Sequence, residues 1–243
     1  MTFSSTVARV RRPFSGLSDT TNDVLFAIGL GVLLTGLSYA IAFMAGWVSE
    51  VNLLEAFAVF TSYGSTYLCV VQRRFNYIFG AISTAAYCVL FFQFGLLGSA
   101  GLNGFLALWL VYGWIRWRKD RITRPVEHVK LKMVPVYVFV AAAGYGIAFL
   151  IVTALGGQLA AFDVAIVAGT LLAQTLLDNK KIETWYIWAV VNVLAIYVYF
   201  SSGLYLVGFQ YILFLANTVW GFIEWRTTMQ AKPVLGVIRP VDA

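Results

Sequence analysis

Charge is what this chain has least of. Of its 243 residues 12% are charged, against roughly 25% in an ordinary soluble domain. That deficit excludes a soluble globular fold. With 60% hydrophobic residues and a mean hydropathy of +0.81, most of the chain faces lipid or other spans. An all-α polytopic membrane protein is expected. Histidine is nearly absent: His128 stands alone in a charged loop. A His-based metal site has no material, and no cofactor is expected. Cysteine is limited to Cys69 and Cys88, both within apolar runs, which reads as buried thiols rather than a disulfide. No phosphate-binding glycine loop appears, so nucleotide hydrolysis by that route is out. Paired acids, a Ser/Cys–His pair and a metal cluster are all missing, so an enzyme is not expected. The formal net charge of +6 belongs with loops on one membrane face rather than with nucleic acid.

What is there is a series of apolar runs: 24–47, 53–71, 76–94, 101–117, 133–155, 160–177, 184–201 and 204–225. We label the first span 0 and the others spans 1 to 7. Each is near the length that crosses roughly 30 Å of hydrocarbon at 1.5 Å per residue. Basic residues then orient the chain. Arg73 and Arg74 lie between spans 1 and 2, and Arg116, Arg118, Lys119, Arg121, Arg124, Lys130 and Lys132 surround the loop between spans 3 and 4. Lys180 and Lys181 lie between spans 5 and 6, and Arg226, Lys232 and Arg239 follow span 7. Alternate crossing puts all four groups on one side, while the opposite loops 95–101, 156–160 and 201–205 carry no Lys or Arg. The positive-inside rule makes the basic side, and the C-terminus with it, cytoplasmic. Arg9, Arg11 and Arg12 precede span 0. They are cytoplasmic if span 0 crosses and external if it lies on the surface. Its length behind a long polar leader favours a crossing over a cleaved signal peptide. Pro233 and Pro240 mark a short irregular tail.

The second half of the chain repeats the first in the same direction. Gly95 and Gly203 are 203 − 95 = 108 residues apart. At the same offset, without a gap, Ala81 falls on Ala189, Phe92 on Phe200 and Leu96 on Leu204. The clearest stretch sets Gly113, Ile115, Trp117 and Arg118 against Gly221, Ile223, Trp225 and Arg226. Three spans per copy is an odd number, so span 4 is needed to make the copies parallel. A 3+1+3 arrangement of transmembrane helices follows, two parallel three-helix repeats joined by a linker helix, with an extra N-terminal helix. The expected divisions are a cytoplasmic leader 1–23, a hydrophobic helix 24–49 and a first repeat 50–118. A basic loop with the linker helix 119–159, a second repeat 160–226 and a cytoplasmic tail 227–243 complete them.

A parallel repeat in a membrane protein points to a transporter with a site between the halves, near mid-depth. There the offset relates Ser62 to Thr170, Thr84 to Asn192, and Trp109 to Asn217. Asn192 lies about 12 Å down a helix starting near Thr184, where an amide facing lipid is costly. Trp185, Trp188 and Asn192 are spaced by three and four and share one face of span 6. Two indole faces above an amide suit a flat, polar or cationic aromatic ligand. Tyr77 lies opposite Trp185 in the repeat and would add a third aromatic, while Gln174 and Gln210 could reach hydroxyl groups. The plainer readings are an interfacial belt for Trp185, four residues from Lys181, and an interhelical clasp for Asn192. Trp109 and Trp117 read as packing or belt residues, and Gly80, Gly113, Gly169 and Gly221 as close-approach points. Glu55, Asp163, Asp178, Glu183 and Glu224 all lie near span ends, and no ionisable residue sits at mid-depth in spans 1–7. That favours uncoupled facilitated diffusion over proton pumping. Span 7 has no lysine for a retinal Schiff base.

Over residues 53–226 the chain resembles the PnuC family of nicotinamide riboside transporters. The most specific motif is W-x-x-W-x-x-x-N, here Trp185, Trp188 and Asn192. The GWIRWR cluster at 113–118, the N-Y-x-x-G start of span 2 (Asn76, Tyr77, Gly80) and the 3+1+3 plan agree. The resemblance implies a single-chain relative of the SWEET fold and vitamin B3 uptake for NAD biosynthesis across the bacterial inner membrane. It implies facilitated diffusion made one-way by a cytosolic riboside kinase, a functional rather than a bound partner. Trp185, Trp188 and Asn192 carry over as substrate contacts. Physically, indole faces suit the pyridinium, Asn192 or Asn217 the carboxamide, and Gln, Ser and Thr the ribose. Rival readings are transport of thiamine or riboflavin, a seven-helix receptor, and an intramembrane enzyme. Whether copies of the chain associate into a homo-oligomer is left open.

Overall fold

The computed structural model describes residues 18–93, 97–120, 125–154, 160–201 and 205–230. Arg9, Arg11, Arg12, Arg121, Arg124, Lys232 and Arg239 lie outside the described residues, as do Gly95, Gly203 and both tail prolines. The described residues are overwhelmingly helical: α1 (Asp19–Met44), α2 (Leu53–Val70), α3 (Asn76–Gln93), α4 (Leu97–Asp120), α5 (Val134–Ala154), α6 (Ala160–Asp178), α7 (Thr184–Ser201) and α8 (Tyr205–Gln230). A helix satisfies its backbone polar groups within the segment, the condition for apolar runs that cross lipid. Helices α1, α2, α7 and α8 are each long and apolar enough to cross a membrane, and shorter apolar stretches lie within α3, α5 and α6.

Polarity is arranged inside out. Leu33, Leu108, Phe139 and Leu150 are 66–73% exposed, whereas Thr184, Asn192 and Gln210 are at most 2% exposed. Lipid replaces water outside, so the polar side chains find their partners within the bundle. Helix α2 packs on α3 and α3 on α4; α6 packs on α7 and α7 on α8. The two groups meet where α2 packs on α8 and α4 on α6, contacts that the 108-residue offset exchanges. Helix α1 lies on α2, as α5 lies on α6.

Helix α1 begins earlier than its apolar run. Ser18 caps it, its Oγ accepting from the Thr21 amide at 3.1 Å. The polar first turns bury Asn22 and Asp23 because Arg73, from the turn after α2, donates to the Asp23 carboxylate.

The repeat is exact in backbone detail at the end of the molecule that carries the basic residues. Gln72 (φ 55°) and Lys180 (φ 50°) both adopt the left-handed conformation after the first helix of each repeat, and 180 − 72 = 108. The same bonds close both turns. Gln72 N donates to Cys69 O as Lys180 N donates to Leu177 O, and Arg73 N to Leu68 O as Lys181 N to Leu176 O. These are helix-ending left-handed caps built without glycine. Each third helix then reaches across. Trp117 Nε1 donates to Asp178 O at 3.2 Å, and Trp225 Nε1 to Val70 O at 3.1 Å. Around these bonds Val70, Tyr77, Trp117, Leu177, Trp185 and Trp225 form one buried cluster. The loop before α5 covers it: Val126 is buried in the cluster, and Glu127 pairs in parallel with Lys181 through backbone and side chain.

Candidate functional site

A cavity of about 250 Å³ lies between the two helix groups, with walls from α2, α3, α4, α6, α7 and α8. That is just under the range typical of small-molecule pockets, roughly 300–1,000 Å³. Of the residues singled out by sequence, Trp185, Trp188, Asn192, Gln174, Asn217, Thr84 and Gln210 all line it. So do Ser62 and Thr170, related by the repeat. Residues more than 120 positions apart are thereby brought to one chamber.

Helix α7 supplies the aromatic wall. Trp185 stands edge-on to Trp225, ring centroids 5.3 Å apart. It fits because Gly221 has no side chain: a Cβ there would lie 2.3 Å from the indole Cη2. Trp188 is half-buried between this cluster and a second one around Val191 and Ala195. One turn on, Asn192 Nδ2 donates to Thr218 Oγ1 at 2.9 Å, and Thr218 passes its own proton to Phe214 O. Asn192 is therefore an interhelical clasp and a cavity residue at once. One Nδ2 hydrogen is used in that bond, which leaves the amide oxygen and the second hydrogen for a ligand.

The other amides are also half engaged. Gln210 Oε1 accepts from Tyr87 Oη at 2.7 Å, linking α8 to α3. Asn217 Nδ2 donates to Thr66 O at 3.4 Å, linking α8 to α2. Thr84 Oγ1 donates back to Gly80 O, leaving its lone pairs free. Among the described residues, three buried donors that border the cavity have no partner: Asn76 Nδ2, Trp185 Nε1 and Gln210 Nε2. Buried donors of this kind are costly unless something fills them. All three call for oxygen acceptors. Asn76 was noticed in sequence only as the start of a helix motif. Its place in the site comes from Ser65, whose Oγ donates to Asn76 O and ties α2 to the start of α3.

One expectation is corrected. Tyr77, expected as a third aromatic of the site, is not among the cavity-lining residues. Its ring packs on Trp117 and over Gly113, and its hydroxyl donates to Asp178 Oδ1 at 2.7 Å. Asp178 does stand at the end of α6, as expected, and is only 3% exposed there. Trp109 Nε1 donates to its Oδ2 at 2.9 Å, and Gln174 Nε2 to its Oδ1 at 2.8 Å. The i, i+4 spacing of Gln174 and Asp178 was the signal available in sequence. Trp109, expected as packing, is a hydrogen-bond donor to that carboxylate.

Among the described residues no group of His, Cys, Asp and Glu is placed to hold a metal. Among the described residues the cavity is lined by hydroxyl, amide, aromatic and aliphatic side chains and by Cys69, with no Lys, Arg or His.

The family model for nicotinamide mononucleotide transporters matches residues 52–227. The nicotinamide riboside transporter PnuC of Neisseria mucosa is 33% identical over 178 residues, 65% of this chain and 67% of that protein. The riboflavin/roseoflavin transporter RibM of Streptomyces davaonensis is 25% identical over 156 residues, 58% of this chain and 70% of that protein. The crystal structure of the vitamin B3 transporter PnuC superposes with a TM-score of 0.66 at 22% identity, covering 92% of this chain and 97% of that one. The family model covers well over half of the chain, and the chain belongs to the PnuC family of membrane transporters.

Proposed function

We propose that this transporter carries nicotinamide riboside, by facilitated diffusion, into the cytoplasm across a bacterial inner membrane. The observation that carries the substrate is the cavity lining. It offers indole faces for a pyridinium, unpartnered donors for carboxamide and ribose oxygens, and no basic side chain for a phosphate. The family model is described by the mononucleotide and the Neisseria relative by the riboside; a cavity without a cation favours the riboside. Phosphorylation by a cytosolic kinase then adds negative charge and keeps the product from returning. The basic loops support a cytoplasmic C-terminus.

Movement follows from two three-helix bundles, α2–α4 and α6–α8, joined by α5 and rocking about the cavity. Cysteine pairs across the two mouths should cross-link in a mutually exclusive, ligand-dependent way. Simultaneous access from both sides would sink alternating access.

The substrate is tested by calorimetry on purified protein with nicotinamide riboside, thiamine, riboflavin and a simple sugar, beside Trp188→Ala and Asn192→Ala. Riboside binding lost in both variants supports the reading, as does riboside uptake into liposomes holding this protein alone. Tighter binding of riboflavin, as the RibM relative would have it, replaces the substrate and keeps the fold.

A further inference from the structure

Beneath the cavity, Asp178 is separated from it by one side chain: Gln174 lines the cavity and donates to Asp178 Oδ1 at 2.8 Å. The other bonds to this carboxylate come from Tyr77 Oη at 2.7 Å and Trp109 Nε1 at 2.9 Å. All three partners donate. An ionised carboxylate needs that set, whereas a protonated one would also need an acceptor. No Lys or Arg forms an ion pair with it among the described residues. The nearby Arg116 turns Nη2 to Asn179 Oδ1 instead, and the Lys180 ammonium sits over the Trp117 ring.

The fold itself does not demand this charge. The repeat-related position is Val70 (178 − 108 = 70), where the same left-handed turn and the same tryptophan-to-carbonyl bond form without a carboxylate. Opposite Val70, Trp185 occupies the place of Tyr77 and its Nε1 has no partner. The two halves therefore share a scaffold and differ in a buried carboxylate, Asp178 against Val70, and in a buried ammonium two residues on, Lys180 against Gln72. In a low-dielectric interior such a charge acts over several ångströms.

We propose that Asp178 sets the charge selectivity of the transporter: its carboxylate, facing the cavity through Gln174, favours a cationic nucleoside over its uncharged and phosphorylated counterparts. This rests on the riboside reading above. The cation gains attraction on entering, the uncharged form gains none, and a phosphate is repelled. Tyr77 and Trp109 are positioning residues that hold the carboxylate in place from the other helix group.

The test is calorimetric titration of the purified full chain with nicotinamide riboside and with its uncharged 1,4-dihydro form. Wild-type protein is expected to bind the cation at least about tenfold tighter. Asp178→Asn should lose about tenfold in affinity for the cation and change by less than about twofold for the dihydro form. Should that variant fold poorly, Asp178→Val with Tyr77→Phe removes the charge together with a group that leans on it, and copies the Val70 side. Tyr77→Phe alone keeps the charge but loosens its hold, and should narrow the preference without abolishing it, whereas a purely structural role would lower affinity for both ligands alike. Equal binding of the two ligands to wild-type protein, or an unchanged ratio in a neutral variant that still binds the riboside, overturns the role of Asp178. Wild-type protein that binds no riboside at all overturns the substrate reading instead.

Discussion

The sharpest mechanical test of the aromatic wall is Gly221→Ala. A Cβ at Gly221 would lie 2.3 Å from Trp185 Cη2 and 2.5 Å from Cζ2 and Cζ3. Non-bonded carbons settle at about 3.5–4.0 Å, so the indole must retreat by about 1.2 Å (3.5 − 2.3). Trp225 stands edge-on to it, held by its bond to Val70 O, so the open side is the cavity. Overpacking of this kind costs about 1–3 kcal/mol, read as a lowered thermal midpoint in detergent. A misplacement of an ångström at a ligand contact costs up to about a hundredfold, read by calorimetry. The repeat supplies the control. In Gly113→Ala the new Cβ would lie 2.0 Å from the Tyr77 ring, which is outside the cavity lining. Both variants should lose stability alike, and only Gly221→Ala should lose most of its ligand affinity. Gly221→Ala protein that is destabilised yet binds normally, or equal loss of binding in both, would refute Trp185 as a ligand contact.

Three further outcomes are expected. Asn76→Ala removes a donor that has no partner in the protein, so ligand affinity should fall while the melting temperature hardly moves; the reverse pattern would make Asn76 a packing residue. Arg73→Ala leaves the Asp23 side chain, 7% exposed, without its ion-pair partner. That should cost about 3 kcal/mol, visible as a lowered thermal midpoint that Asp23→Asn in the same chain partly restores. In a Cys88→Ala background, Cys69 is buried but borders the cavity. Its maleimide labelling should be slow and slower still with saturating ligand, and labelling indifferent to ligand would place the ligand elsewhere.

The helices and the repeat were legible because lipid imposes long apolar runs and the 108-residue offset survives in Gly113, Trp117, Gly221 and Trp225. Seven of the eight residues singled out by sequence border one cavity for a related reason: amides and hydroxyls inside apolar runs have nowhere to go but inward. What was illegible depends on distant cover. The end of α6 is buried because Trp117 and Trp109 reach it from α4 and because the loop at 126–129 lies across the turn that follows it. No local pattern near Asp178 announces these. Tyr77 was misplaced for the same reason. The repeat set it opposite Trp185 correctly, but not the carboxylate that draws its hydroxyl from the cavity. The start of α1 was missed because Asp23 reads as solvated until Arg73, fifty residues on, is known to pair with it.

Symmetry and its loss are divided by depth. At the basic end the two halves share the backbone bonds of their left-handed turns and the exchanged tryptophan-to-carbonyl bonds. Around the cavity they diverge: Thr84 stands against Asn192, Gly80 against Trp188, and the Tyr87–Gln210 bond has Ala195 and Leu102 at its related positions. A ligand with a ring at one end and a sugar at the other has no two-fold axis, so a symmetric lining could satisfy only part of it. Matched ends, in contrast, let the two groups meet through equivalent contacts, α2 on α8 and α4 on α6.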